Sequence, residues 1–415
     1  MTNIAIVGAG LMGRLIALSL SRQGDEVTLI DKDDKQAHNS AAYAAAGLLT
    51  PLGEALHCEP NIVEMGIESL KLWPTLLATL SRPVFFQQEG AIMVSHAQDK
   101  GDYQHFARYI KEHYPQHHIK ALNRSQLEDL EPDLGRAFNQ GLLLPEEGQI
   151  GNRELLIALK VELEQSDIQW LSHTTVVEIL SGECSSEVIY ITSEGTALKQ
   201  SFDLVIDCRG TGAKVSASKQ SNKNSNEPDE LSGLRAVRGE VFQLFAPDVN
   251  ITRPIRLMHP RYQLYIAPKG NGNFTVGATE IESDDMSPMT VRSAMELLSA
   301  AYSVHTGFAE ANIKEHISQC RPAFSDNQPK ILLNNTTVHV NGLYRHGYLI
   351  SPVVLAQVEE LVELLIKDRS LKESGGSSTA CSDSKYSNFK YSHLLPISVV
   401  NKKVSKTTDM EITNQ

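Results

Sequence analysis

The residues best placed by type and spacing to do chemistry stand at the start of the chain. Gly8, Gly10 and Gly13 form a G-x-G-x-x-G pattern, with Leu11 and Met12 between the last two glycines. A pyrophosphate is held by backbone N–H groups from a tight turn at a helix N-terminus. In that role Gly8 makes the turn, Gly10 lets the chain approach the phosphates, and Gly13 lets the helix pack on its strand. The surroundings suit the role. Asn3–Val7 reads as a buried parallel strand, and RLIALSLSRQG reads as a helix ended by Gly24. Glu26–Ile30 reads as a second strand and runs into Asp31. An acidic side chain there can accept both ribose hydroxyls of an adenine dinucleotide. Lys32, its neighbour, is grouped with the cofactor-binding residues; a lysine there would also suit a 2′-phosphate.

The motif alone does not separate FAD from NAD. An NAD domain continues with regular βαβ units. Here the second strand leads instead into a small-residue stretch, Asn39–Glu54, that lets backbone come close to something bulky. The other candidate elements of the first domain lie far downstream, among them the apolar strand 203–207 before Cys208-Arg209-Gly210. A split domain of this kind suits an extended FAD. Further helices are expected over about 61–80, 285–300 and 352–367, a turn and another helix over 146–163, and strands over 168–171, 176–180, 188–192, 264–267, 331–333 and 338–340. The expected fold class is α/β: a Rossmann-like FAD-binding domain from 1–83, 146–233 and 312–367, interleaved with an α+β substrate domain from 84–145 and 234–311. Residues 214–230 read as a polar surface insertion, and 368–415 as a disordered tail, in which a short element around Tyr391–Val400 is the alternative.

Composition narrows the class. The chain of 415 residues is 41% hydrophobic and 21% charged, which excludes collagen-like, fully disordered and disulfide-scaffold classes. A net charge of −12 argues against non-specific binding to nucleic acid. No apolar run reaches membrane-span length, and no signal peptide is read. The five cysteines are widely spaced and odd in number, which fits a cytoplasmic protein without a zinc or dithiol motif. No metal is expected.

Several segments together carry a family resemblance. They are IVGAGLMG with Asp31, SAAYAAAGLLTP, DLVIDCRGTGA, LRAVRGE, LYIAPKGNGNFTVGATEIE, CRPAFSDNQP and NGLYRHGYLISP. In order and spacing they resemble the D-amino-acid oxidase superfamily of flavoproteins, and within it the glycine oxidases of bacterial thiamine biosynthesis. The resemblance implies an FAD-dependent oxidation of glycine or a similar small amino acid. It implies hydride transfer from Cα to flavin N5, giving an imine and then glyoxylate, ammonia and hydrogen peroxide. Dioxygen is the implied acceptor, and a homo-oligomer the implied assembly. A D-amino-acid or sarcosine oxidase or dehydrogenase of the same superfamily is the alternative. A flavoprotein that uses the fold as a scaffold for RNA is a more distant one.

The resemblance also implies roles for particular residues. Ala46, Gly47 and Leu48 would line the flavin, Val176 would hold adenine through its backbone, and Gly210 would close near the cofactor. Arg345, His346, Gly347, Tyr348 and Leu349 would approach the isoalloxazine ring. Arg321 would clamp the substrate carboxylate, which suits a fork of donors that stays charged. Tyr265 would add a hydroxyl to the same carboxylate, and Arg345 would be a second cation. Each has another reading: a surface arginine for Arg321, strand packing for Tyr265, a structural ion pair for Arg345. Gln263 and Glu280 depart from the expected neighbours of the substrate, and Glu280 either favours a charged amine or points to solvent. Cys320 is expected to be buried and unreactive rather than bonded to flavin. His117, His118 and His259 are expected to be surface or satisfied histidines, and Arg235, Arg238, Arg253 and Arg256 receive no role.

Overall fold

The computed structural model describes residues 1–214, 231, 233–259, 264–373 and 383–400. The expected insertion beyond Lys214 and the departure at Gln263 lie outside the described residues.

The run Asn3–Val7 is apolar throughout because both of its faces are covered. Ile4 and Ile6 join the large core formed with the helices, while Ala5 and Val7 join a second cluster with Ile179, Val188 and Phe202. The run pairs in parallel with Glu26–Ile30 on one side and Leu204–Asp207 on the other. Parallel strands need this cover on both faces. The full sheet has seven strands, in the order 397–399, 330–334, 337–341, 204–207, 3–7, 26–30 and 169–171. The helix Leu11–Arg22 packs on it, Gly347–Glu373 packs beside that helix in the same core, and Pro60–Ala78 packs against Gly347–Glu373. A second, nine-stranded mixed sheet runs from Lys120–Asn123 to the long pair Arg235–Phe245 and Asn312–Ala323. The helix Val291–Val304 contributes Leu297, Ala300, Ala301 and Val304 to its core. The architecture is thus α/β, a Rossmann-like domain interleaved with an α+β domain.

The structure moves several sequence expectations. Asn312–Ala323, placed with the first domain, pairs along its whole length with Arg235–Phe245 in the second sheet. Its half-exposed, polar sequence shows no apolar run to betray a strand. The chain rejoins the first sheet only at Lys330–Asn334. The expected disordered tail is also corrected over 368–373 and 383–400; its other positions lie outside the described residues. Ile397–Val399 adds a parallel strand beside Lys330–Asn334, and Tyr386, Tyr391, Leu394 and Leu395 are buried in the main core. These apolar residues are scattered among serines and lysines, so composition hides them.

The helix expected from Pro352 begins at Gly347. Pro352 lacks the N–H that would bond to the carbonyl four residues back. That carbonyl, of Tyr348, accepts instead from the Trp73 indole at 3.1 Å. The helix expected from Asp285 starts only at Val291, where Thr290 caps it by accepting from the Ser293 N–H.

Candidate active site

One cavity of about 1410 Å³ lies between the two sheets. Apart from Gly13, every residue assigned to the cofactor or to catalysis from the sequence lines it. That volume exceeds what a drug-sized ligand needs, and suits a dinucleotide together with a small substrate.

At one end the glycine turn closes the top of the first sheet. Gly8 has a φ of +101°, and its N–H donates to the Ile30 carbonyl at 2.8 Å. Gly13 sits behind the turn, where a Cβ would collide with the Gly8 carbonyl. Gly10 faces open space, leaving room for a ligand. The Asp31 carboxylate accepts from the Ala9 N–H and from the Asp33 N–H, the latter at 2.6 Å. Burial pushes its carboxyl pKa up against the pull of those two bonds.

Sequence reasoning missed Arg14, which is fully buried on the helix behind the turn. Its guanidinium donates to the carbonyls of Ala9 at 2.7 Å, Leu156 at 2.9 Å and Lys35 at 2.9 Å. Burial lowers it to about 10 against the pull of Asp31, which still leaves it charged near neutral pH. A charge on the inner face of an amphipathic helix was the available signal.

Along the cavity, Lys32 and Val176 flank the Asp31 end, and a register slip between Val176 and Glu178 breaks the ladder of that edge strand. Gly47 (φ +66°) and Gly210 (φ +57°) put left-handed turns against the cavity wall. Asn341 fixes Gly210 by donating to its carbonyl at 3.0 Å. The helix that starts at Gly347 points its N-terminus at the cavity, with His346 just before it. Burial lowers His346 to about 4, so its ring is neutral. A helix N-terminus offers unpaired N–H donors and a positive field to an electron-rich group.

The far end is a network of side chains. Arg345 pairs with Glu54 at 3.0 Å and Glu280 at 3.3 Å, and donates to the His57 carbonyl at 2.9 Å. Glu54 also pairs with Arg256, which donates to the Gly53 carbonyl as well. Burial alone would push Glu54 up, but Arg256 and Arg345 hold it well below the usual carboxylate range. Glu280 accepts from the Tyr344 hydroxyl at 2.6 Å as well as from Arg345, and remains half-exposed.

Arg321 differs from the other two arginines. It lies over Gly239, where a Cβ would collide with the guanidinium, and it donates to the Thr279 carbonyl at 3.2 Å. Among the described residues it has no carboxylate partner. Tyr265 faces the same space, and burial raises its phenol to about 12. Cys320 lines the cavity too; its thiol reaches the Ser283 carbonyl at 3.6 Å, and burial raises its pKa. His259 also lines the cavity. Arg256 and Glu54 are the residues sequence reasoning left without a role; their pairing joins segments some 200 residues apart. Among the described residues, no group of three or more His, Cys, Asp or Glu is placed to hold a metal. Among them, too, no helix is long and apolar enough to cross a membrane.

The site has the form of a dinucleotide-dependent redox enzyme: a nucleotide turn, a small-residue wall and a cationic pocket. Residues 3–358 match the DAO family of FAD dependent oxidoreductases, and the chain belongs to that family. It is an FAD-dependent oxidoreductase. A Rhizobium etli protein bearing the name thiamine biosynthesis oxidoreductase ThiO is 33% identical over 356 residues, 86% of this chain and 95% of that one. A bifunctional ThiO/ThiG protein of Synechocystis is 23% identical over 384 residues, and the matched part covers 51% of its length. In fold the chain is similar to glycine oxidase from Bacillus cereus, with a TM-score of 0.73 and 22% identity over 88% of this chain and 95% of that one. It is likewise similar to iminodiacetate oxidase from Chelativorans, with a TM-score of 0.69 and 19% identity over 96% of this chain and all of that one.

The residues present fit FAD. Gly10 leaves the approach to the turn open, Asp31 ends the second strand, and Ala46 and Gly47 present backbone without bulk.

Proposed function

We propose that the chain oxidises the α-amine of a small amino acid, with glycine the favoured substrate. One observation carries the reading. Of the three arginines at the far end, two are committed to Glu54 and Glu280, and Arg321 alone among them lacks a carboxylate among the described residues. Within the cluster of Arg256, Arg321, Arg345, Glu54 and Glu280, three positive charges against two negative leave one unmatched positive charge, which a substrate carboxylate would neutralise. The guanidinium fork takes both carboxylate oxygens and cannot lose its charge.

Tyr265 adds a hydroxyl donor to the same carboxylate. Its raised pKa keeps that donor protonated over the whole working range. The two contacts orient the substrate, with the amine-bearing carbon turned toward the small-residue wall at Ala46–Leu48. Arg345 and Arg256 hold Glu54 rigidly charged and keep the pocket from collapsing on Arg321. No side-chain base is required: the amine gives up its ammonium proton to solvent before oxidation. FAD, when bound, would supply the redox chemistry, a two-electron acceptor for the hydride from Cα that dioxygen could reoxidise with hydrogen peroxide as product. The imine left behind takes up water and yields glyoxylate and ammonia. A role in making the thiazole of thiamine is supported by the likeness to the Rhizobium etli protein.

The test is anaerobic mixing of the yellow protein with glycine, sarcosine and D-alanine while following flavin absorbance. Fast bleaching by glycine, with peroxide formed on admitting air, is the expected result. Bleaching only by a bulkier amine, or no reoxidation by air, would replace the reading with a dehydrogenase of the same family.

A further inference from the structure

Lys269 follows the strand Leu264–Pro268 directly, at the start of the turn to Asn273–Gly277. Its side chain leaves the second sheet and ends inside the wall of the cavity. The Nζ is within hydrogen-bond distance of three oxygens: the Ala46 carbonyl at 2.6 Å, the Ile150 carbonyl at 3.0 Å and Gln149 Oε1 at 3.3 Å. Gln149 is buried, and its amide nitrogen donates to Gln87 Oε1 at 2.7 Å, which turns its own oxygen toward the lysine. The Ile150 N–H in turn donates to the Gly47 carbonyl at 2.8 Å. Lysine therefore ties the wall stretch Ala46–Gly47, which lines the cavity, to the backbone of Gln149–Ile150 behind it.

All three acceptors are neutral, and among the described residues no carboxylate forms an ion pair with Lys269. An ammonium has three N–H donors and no acceptor, which matches three oxygens. A neutral amine has two donors and a lone pair, so one oxygen would face that lone pair. The arrangement selects the charged form, and the charged form closes the wall.

We infer that Lys269 is a positioning residue whose protonated ammonium clamps Ala46 to Ile150 and so pre-forms the wall against which FAD binds. The clamp acts through backbone, and its effect on FAD is independent of which amine is oxidised. Burial lowers Lys269 to about 7. Of the groups around it, Glu154 on the helix Asn152–Gln165 favours the charge, and its Oε2 is already taken by the Phe85 N–H at 2.6 Å. Arg153 beside it turns away to Glu315 at 2.8 Å. Glu147, before the strand Gly148–Ile150, accepts from the Gly53 N–H at 2.8 Å and is raised by burial to about 8. Residues 45–48, 86–87 and 273–277 contain no titratable side chain. If FAD prefers the clamped wall, its binding raises the lysine's pKa, and FAD affinity falls as pH rises through about 7.

The experiment is titration of the apoprotein with FAD, followed by flavin fluorescence, between about pH 6 and pH 9. Hydrogen exchange of the apoprotein over 45–48 and 148–150 is measured alongside. For Lys269→Met we expect FAD affinity about 10- to 100-fold weaker at the acid end, no pH dependence from this source, and faster exchange in both segments. Lys269→Arg keeps a charge that does not titrate, so it is expected to bind FAD without the alkaline fall. Glu147→Gln is expected to retain that fall, which separates the lysine from the carboxyl that titrates nearby. Wild-type affinity, pH profile and exchange in Lys269→Met would overturn the proposal. Should that variant not fold, the alkaline fall persisting in Lys269→Arg would overturn it equally.

Discussion

At the nucleotide end of the cavity the glycine turn is built of backbone, and the turn's own geometry is set within the first 31 residues. At the far end they come from side chains, and Glu54, Arg256, Arg321 and Arg345 meet from four separate parts of the chain. The first kind of site depends on where glycine is allowed. The second depends on which charge is left without a partner. The two should therefore fail differently when single residues are changed.

The largest effect is expected at Gly13. Its missing Cβ is what lets the helix lie on the Gly8 carbonyl, and backbone cannot yield as a flexible side chain would. Gly13→Ala is expected to cost about 3 kcal/mol or more and to yield protein without flavin, seen in the ratio of flavin to protein absorbance. Gly10→Ala sharpens the contrast. Nothing lies within 4 Å of its added Cβ, so thermal stability of the apoprotein should hold while FAD binding weakens. Equal loss of stability in both variants would break the distinction between a packing glycine and an approach glycine.

At the other end the first expectation concerns Arg345. Removing it leaves Glu54 buried with only Arg256, and leaves Glu280 with only Tyr344. Arg345→Ala is expected to destabilise the fold by about 3 kcal/mol in denaturant unfolding. The sign with pH follows from Glu54, whose folded pKa is depressed below the ordinary 4.5. Its contribution is fully present above that value and is lost as pH falls toward the folded one. The variant should thus differ most from wild type at neutral pH and converge with it in acid. A variant as stable as wild type, with only its kinetics changed, would return Arg345 to the role of a second substrate cation.

How much of this was legible in the sequence follows the same division. The turn at Gly8–Gly13 and Asp31 were readable because strand, glycines and helix are neighbours in the chain, and each residue type has one physical reason to be there. The seven-stranded sheet was partly readable, since Asn3–Val7 and Leu204–Asp207 are apolar runs buried on both faces. Asn312–Ala323 was not, because a strand whose side chains are half in water shows no such run. Arg321, Arg345 and Tyr265 were placed near the substrate only through family resemblance. Nothing in spacing tells that Arg345 finds two carboxylates and Arg321 none, because that is decided by pairings between distant segments: Arg256 meets Glu54 across 202 residues, and Arg345 meets Glu280 across 65. Lys269 was invisible for a related reason: a buried charge that bonds only to carbonyls and an amide has no complementary residue type to look for; for Arg14 the one signal was its place on the inner face of its helix.

Arg321→Ala is expected to leave FAD content and thermal stability near wild type, since no carboxylate among the described residues loses a partner. The KM for glycine should rise about 100-fold, the loss that follows when a charge-assisted pair is truncated. Glycine kinetics unchanged in this variant would remove the argument from the unmatched charge.

The smallest effect is expected at Tyr265. Its hydroxyl adds one hydrogen bond to a carboxylate already held by a guanidinium, so Tyr265→Phe should raise the KM for glycine by about tenfold. The ring stays packed beside Val241 and Ala278, so stability should not move. Because the phenol is raised to about 12, it stays a donor through the working range, and the variant should lose affinity by the same factor at every pH at which the enzyme is stable. A ratio of KM values that narrows toward alkaline pH would mean that the tyrosine titrates within that range. The pocket would then be wetter, or more strongly coupled to Arg321, than its burial implies. That outcome would blur the contrast between the two ends, since a far end open to water would screen the charge on which the case for Arg321 rests.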